Sequence, residues 1–403
     1  MINFYRKVIF VLKFWILPLL FIGNYYPCEY NNLWFANLPV KYIALALLLV
    51  LFFFQRKKYF IDKTFVFITI LWSFLFLFRY YIIGEEVAIE SFNSILVTII
   101  LIKYICQGLN NTEIINYLIK THIVMIVLCV VGLILLIIGI NLPELSRHEI
   151  NDNEIIHNFG LFFMKSHNIV GVNILDYIRP AGFYDEPGSF AFMIFLMLAI
   201  NRLCNNNNKR IEQILIWGGL ITLSLAHMVI ITLYYLFFYA NRKSLFWIVF
   251  SVIIIFALYK LTISSENSYL ASMYNMSFGR LDEFMSGKDT SRNFSASYLA
   301  FNEFFWNVFG TSMEEIKRTY PQATPETLYY FLARMGIGGT FIYSLIFMFP
   351  FIRSIKEKNW EVLKIILLLM INFVQRPYLQ YPIILFSVYI LFYYSYSYKL
   401  RNI

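Results

Sequence analysis

An arginine, two adjacent carboxylates and two glycines stand together in R-P-A-G-F-Y-D-E-P-G, residues 179–188, immediately ahead of the apolar run SFAFMIFLMLAI. Arginine among them suits an anion such as phosphate. A guanidinium offers a planar fork of donors that matches phosphate oxygens, and a carboxylate can take the proton of an attacking hydroxyl. A local reading competes. Proline is tolerated in the first turn of a helix, the helix dipole favours Asp185 and Glu186 at its N-terminus, and Gly182 permits a tight turn. That reading leaves Arg179 without a reason.

Further charge lies downstream, with Arg280 in FGRLDEF and Arg292 in TSRNFSASYLAF. Phe294, Tyr298, Phe301, Phe305 and Val308 recur at helical spacing, which predicts an amphipathic helix over 292–309 resting on a membrane face. Arginines there are either solvated or lipid-bound, or they converge with Arg179 on one anion. Each close pair with a phosphate contributes about 4 kcal/mol before desolvation at a surface-like dielectric. Glu326, opening PETLYYFLARMGIGG, reads as a cap acid or a base at the membrane edge. Arg79 and Arg376 read as helix-end residues that snorkel. His148, His157 and His167, nine and ten residues apart, fit no helical metal motif and read as loop residues. His227 reads as a satisfied core imidazole.

The elements that must carry these groups follow from composition. Of 403 residues, 60% are hydrophobic and only 14% charged, with 42 Phe and 30 Tyr and a mean hydropathy of +0.64. Soluble domains carry about 25% charged residues, so the expected class is an all-α polytopic integral membrane protein. The +9 balance sits in short clusters between apolar runs, as orientation signals do, and argues against a nucleic-acid partner. Cys28, Cys106, Cys129 and Cys204 show neither metal spacing nor a disulfide framework. Arg6 and Lys7 precede an apolar run with no small-x-small cleavage site, so the first helix is expected to stay uncleaved.

Apolar windows fall near 8–24, 38–54, 64–83, 92–106, 121–140, 187–203, 244–261, 326–350, 361–375 and 382–398. The segment 211–240 is either one long helix or a hairpin turning near Ser224-Leu225-Ala226-His227. Only the hairpin keeps every basic cluster on one side, including Arg242-Lys243, Arg353/Lys356/Lys358 and Lys399/Arg401. The expectation is therefore a single membrane domain over 1–403 of about 12 spans with both termini cytoplasmic. Two larger outer loops, 141–185 and 262–325, hold Arg179, Gly182, Asp185, Arg280 and Arg292, with Glu186 and Glu326 directly following them. No G-x-x-x-x-G-K-[ST] occurs, so the expected chemistry sits on the outer face without a nucleotide.

Twelve spans, two outer loops, R-P-A-G-F-Y-D-E-P-G-S-F-A and an arginine-bearing second loop resemble an O-antigen polymerase of the Wzy type. That family is related to the O-antigen ligase group of membrane glycosyltransferases. The run from Asn302 to Gly310 resembles the family's amphipathic segment ending in glycine, and L-A-R-M-G-I-G-G resembles its L-x-E-x-G-x-x-G opening. Ligases carry a histidine-asparagine pair where Pro325-Glu326 stand here, a departure that favours polymerase. The resemblance implies transfer of a growing glycan from undecaprenyl pyrophosphate to a hydroxyl of the next lipid-linked repeat unit. No nucleotide sugar, metal or other cofactor is implied.

In that reaction Arg179, Arg280 and Arg292 meet the charge of the leaving pyrophosphate. Glu186 is the first choice of base and Glu326 the second, while Asp185, Gly182 and Arg376 are expected at the substrate. The implied partners are the lipid-linked oligosaccharide, membrane lipid and a chain-length-determining co-polymerase. The implied place is the bacterial inner membrane, with the site facing the periplasm. Two alternatives remain: a ligase moving polymer onto a lipid core, and a lipid-linked oligosaccharide flippase or transporter. A transporter should carry charge near mid-span and repeated halves. Here Lys13 and Lys103 are the clearest span charges, and no repeat is seen.

Overall fold

The computed structural model describes residues 62–108, 111–138, 140, 142–151, 154–160, 162–167, 179–184, 186–205, 207–239, 260, 294–323, 327–375, 377, 379 and 381–394. The expected spans 8–24 and 38–54, and all of 244–261 but residue 260, lie outside them. Helix α1 (Lys63–Phe78) runs on through a π-helical turn, Arg79–Ile83, and is followed by α2 (Val87–Gly108) and α3 (Asn111–Ile137). Four strands come next, then α4 (Pro187–Cys204), α5 (Lys209–Leu220) and α6 (Leu225–Tyr239). The second half holds the short helices α7 (Phe294–Ala300), α8 (Glu303–Trp306) and α9 (Met313–Thr319). It closes with α10 (Leu328–Lys356), α11 (Trp360–Gln375) and α12 (Pro382–Tyr389).

Four of these helical segments are long and apolar enough to cross a membrane: Lys63–Ile83, Ile115–Leu136, Pro187–Cys204 and Leu328–Lys356. Their exteriors are apolar as well. Along α1 the buried Phe65, Ile68, Trp72 and Phe76 alternate with exposed Phe67, Ile70, Phe74 and Phe78, three or four residues apart. A helix in water would turn a polar face outward. An apolar exterior of this extent belongs against lipid. Trp72 stacks on Tyr343 at 4.7 Å and donates to the Ile342 carbonyl, joining α1 to α10.

The segment 211–240 forms the hairpin, turning at 221–224 between α5 and α6. Helices packed alternately up and down leave two distinct ends. Arg334 near the start of α10 meets Glu85 at the α1–α2 corner. At the opposite end Arg202, near the close of α4, meets Glu361 at the start of α11. The start of α4, and the strands that lead into it, therefore share the end occupied by Glu85.

Two departures from an all-α chain with one long amphipathic run appear in the loops. The first loop carries an antiparallel sheet in the order β1-β2-β3-β4. Its strands are β1 (Ser146–Asn151), β2 (Glu154–Asn158), β3 (Phe163–His167) and β4 (Arg179–Gly182). His148, His157 and His167 thus lie in strands rather than loops. The expected helix over 292–309 is broken by a turn at 301–302. Ala300 and Ser297 are buried, while Tyr298, Phe305 and Val308 face outward as the stripe requires.

Helix α10 is itself interrupted. Gly336 takes φ +64 and ψ −179 inside it, and Gly310 at the end of the second loop takes φ +76. The two backbones touch, with Gly338 N–H donating to the Val308 carbonyl (2.7 Å) and Thr311 N–H to that of Ala333 (3.2 Å). A Cβ on Gly336 would overlap the Asn307 carbonyl and the Gly310 nitrogen, neither of which can swing aside. Gly336→Ala should therefore lower stability by about 3 kcal/mol or more, the range of severe backbone conflicts. Gly339→Ala, whose Cβ would meet nothing closer than 3.5 Å, should leave thermal unfolding in detergent nearly unchanged.

Candidate functional site

Strand register brings two cations together. Lys165 on β3 lies directly opposite Arg179 on β4, and both side chains are buried. Like charges in that position repel, so each needs a separate partner. The Lys165 ammonium pairs with the Glu186 carboxylate at 3.3 Å. Arg179 points into the hairpin turn, where Nε donates to the Thr222 carbonyl (3.0 Å) and Nη2 to that of Leu223 (3.3 Å). These carbonyls belong to the turn after α5, whose own N–H groups meet the Gly219 and Leu220 carbonyls at the helix end. Arg179 thus braces a turn contributed by another part of the chain, a role its own sequence context does not reveal.

Glu186 occupies the N-cap of α4 with extended backbone (φ −142, ψ 150), and Pro187 follows in the first turn as expected. Its carboxylate makes no capping bond. The side chain is 21% exposed and turned to Lys165. Gly182 adopts φ +64, and a Cβ there would press on the Phe190 ring at 3.1 Å. It shapes the corner between β4 and α4.

On the same sheet, His157 links Glu144 and Ser166. Nδ1 lies 2.8 Å from Glu144 Oε1 and Nε2 2.6 Å from Ser166 Oγ. A carboxylate accepts, so Nδ1–H donates to it and Nε2 accepts from the serine hydroxyl. Burial pushes the His157 pKa below its ordinary value despite the neighbouring Glu144, which keeps the imidazole neutral near neutral pH. His227 is buried as a core imidazole should be, packed where Gly219 leaves room for no side chain, yet its Nε2 has no hydrogen-bond partner.

A second charged group forms at the α1–α2 corner. Glu85 is fully buried and accepts from Arg79 Nε (2.7 Å) and Arg334 Nε (2.5 Å), one guanidinium on each oxygen. Arg79 also donates to the carbonyls of Phe309 and Thr311. Arg79 does not snorkel. It is completely enclosed, because the corner and the second loop together meet its donors. Burial pushes the Glu85 carboxyl upward, but Arg334 and Arg79 outweigh this and hold it below the ordinary carboxylate value.

Asp185, Arg280, Arg292, Glu326 and Arg376 lie outside the described residues. Of the expected site, the structure brings Arg179, Gly182 and Glu186 to the start of α4 and adds Lys165, which sequence reading passed over. It also adds Glu85 and Arg334. The available signal for Arg334 was its position two residues before Gly336 in L-A-R-M-G-I-G-G. Among the described residues no group of three or more His, Cys, Asp or Glu is assembled as a metal site. At the far end Glu212 is buried and accepts from Tyr234 (2.5 Å) and Tyr239 (2.7 Å), locking α5 to α6. Comparison of the chain with family models, with curated proteins and with solved structures finds no match in any of the three.

The depressed Glu85 pKa has a testable consequence. A carboxyl whose folded pKa lies below its unfolded value stabilises the fold above the unfolded value and loses that contribution as pH falls through the folded one. Glu85→Gln should lower the melting temperature in detergent at pH 7. The gap to wild type should narrow as pH falls below the unfolded carboxyl pKa of about 4.3. A gap that stays constant down to pH 3 would show that Glu85 does not act through its charge.

Proposed function

We propose that the chain is an oligosaccharide repeat-unit polymerase working on polyprenyl-pyrophosphate-linked glycans. The observation that carries the reading is the pair of buried cations, Lys165 and Arg179, opposite each other across β3–β4 with a partly exposed carboxylate, Glu186, beside them. Two cations held at one end of an apolar bundle suit a pyrophosphate whose lipid tail stays in the membrane. In the transfer, the acceptor hydroxyl attacks the anomeric carbon of the donor glycan. The new glycosidic bond forms as the bond to pyrophosphate breaks, and the hydroxyl proton passes to Glu186. Charge growing on the pyrophosphate is met by cations already in place, the arrangement that gives electrostatic catalysis most of its effect.

Arg179 acts in this scheme through its charge and through the hairpin turn it holds. Arg280 and Arg292 supply further cations from the second loop, Asp185 and Arg376 contact the substrate, and Glu326 is the alternative base. The proposal includes the finer topology: about 12 spans of the bacterial inner membrane, both termini cytoplasmic, and a site facing the periplasm. The basic clusters support that orientation. The hairpin of α5 and α6 agrees with it.

A deletion strain tests the reaction class. Loss of a polymerase leaves lipopolysaccharide with a single repeat on its core, loss of a ligase leaves none, and an unchanged ladder would remove both readings. Complementation with Glu186→Gln should lower turnover about 100-fold or more, the usual worth of a general base, with protein still in the membrane. Full activity would move the base elsewhere. For the orientation, a cysteine replacing Ser286 should react with an impermeant thiol reagent from the periplasmic side, and labelling only after the inner membrane is opened would reverse it.

A further inference from the structure

The group around Glu85 is incomplete as an electrostatic unit. Two guanidiniums share one carboxylate, and all three groups are wholly or largely removed from water. The exposed Glu314 on α9 acts on Arg79 only through space and forms no ion pair with Arg79 or Arg334 among the described residues. The two arginines differ in how far their donors are met. Arg79 directs Nε, Nη1 and Nη2 to Glu85, Phe309 and Thr311. Arg334 directs Nε to Glu85, and its enclosed Nη2 has no hydrogen-bond partner among the described residues. A buried donor left unmet is costly and rare in native proteins, and a bound anion is one arrangement that meets it.

A second unmet group lies across the helix break. Thr340 Oγ1 is buried without a hydrogen-bond partner among the described residues. A helical threonine ordinarily bonds the carbonyl four residues back, and here that residue is Gly336, where the helix is interrupted. Interrupted helices in membranes collect ligands for this reason, since they free polar groups inside an apolar surround. Arg334 is also the member of the ion group that reaches outward. Its side chain keeps 13% of its surface, whereas Arg79 and Glu85 keep none.

We propose that Arg334 is an anion-binding residue whose Nη2 donates to a phosphate oxygen at the break in α10. Glu85 orients the guanidinium through Nε, and the bound anion balances the excess cation. Phosphate oxygens can come from a lipid-linked pyrophosphate or from a phospholipid headgroup. The first source rests on the function proposed above. The second does not.

Calorimetry on the full chain purified in detergent tests this, with inorganic pyrophosphate and farnesyl pyrophosphate as probes. Wild type should bind both, and Arg334→Gln, with a lowered melting temperature because Glu85 loses a partner, should bind each at least tenfold more weakly at temperatures where it remains folded. Glu85→Gln keeps an oxygen that can accept from Arg334 Nε while removing the competing charge, and should bind no more weakly than wild type. Equal affinity in wild type and Arg334→Gln would overturn the proposal, as would an equal loss in Glu85→Gln, the mark of a purely structural role. If Arg334→Gln fails to fold, Arg334→Lys decides. It keeps the charge but lacks the second donor nitrogen, so weaker binding in a stable protein supports the site and unchanged binding overturns it.

Nanodiscs of phosphatidylglycerol, compared with phosphatidylcholine, separate the sources. Suppression of pyrophosphate binding by phosphatidylglycerol alone assigns the site to a headgroup, and undiminished binding assigns it to the pyrophosphate. Arg334-dependent binding in a protein whose deletion leaves the glycan ladder intact would sink the polymerase reading and keep this site. An altered ladder with binding indifferent to Arg334 would do the reverse.

Discussion

Burying Glu85 between Arg79 and Arg334 removes three charges from water, at several kcal/mol for each ion even after relaxation. That cost is offset only where geometry and hydrogen bonding are good. Here each carboxylate oxygen takes one Nε–H, and Arg79 finds the carbonyls of Phe309 and Thr311 with its remaining arms. The requirement fixes four pieces of chain at once: the end of α1, the corner into α2, the close of the second loop and the first turns of α10. Gly310 and Gly336 are its steric counterpart, because only bare backbone lets the loop lie against the interrupted helix. Displacing either loop or helix would leave a buried charge without its partner.

The other half of the bundle meets a related constraint. Helix α5 has 12 residues, about 18 Å at the usual rise, against a hydrocarbon core of about 30 Å. Its end therefore falls short of the far face, and the carbonyls of the turn that follows it need partners inside the bundle. Arg179 supplies them from β4. A residue from a loop must enter the helical layer to do so, which accounts for the burial of all four residues of the last strand. The hairpin and the first loop are consequently one structural unit, although 43 residues separate Arg179 from Thr222.

How much of this could be read beforehand depended on the range of the interactions. The windows 64–83 and 187–203 coincide closely with helical segments because long apolar runs permit little else, and the charge argument for a hairpin over 211–240 agrees with α5 and α6. The sheet was not legible. Strands such as SRHEIN and EIIHN are short and polar, and register aligns them as a set rather than any propensity within each. The pairing of Arg334 with Glu85 spans 249 residues, and no local pattern announces such a partner. Arg79 looked like a helix-end arginine because the carbonyls that enclose it belong to residues 309 and 311. The stripe through 294–308 indicated the outward face correctly but not the turn at 301–302.

Glu186 separates the local account of its stretch from the functional one. Four other helices are capped by side chains, while α8 and α12 start at Asn302 and Tyr381 without such a bond. Asp62 accepts from two N–H groups of α1, and Asn208, Ser312 and Thr327 accept at the starts of α5, α9 and α10. Glu186 holds the equivalent backbone position on α4 without using its carboxylate so. Glutamate is in any case too long to be a preferred N-cap, a place where Asp, Asn, Ser and Thr lead. A sequence selected only to start this helix would have little use for a glutamate there, or for a buried lysine on a neighbouring strand to receive it. Lys165 faces Arg179 despite the repulsion that the register imposes. Keeping two cations and a carboxylate where apolar residues would pack more cheaply has a cost in stability, and the proposed function would give that cost a purpose in meeting an anion.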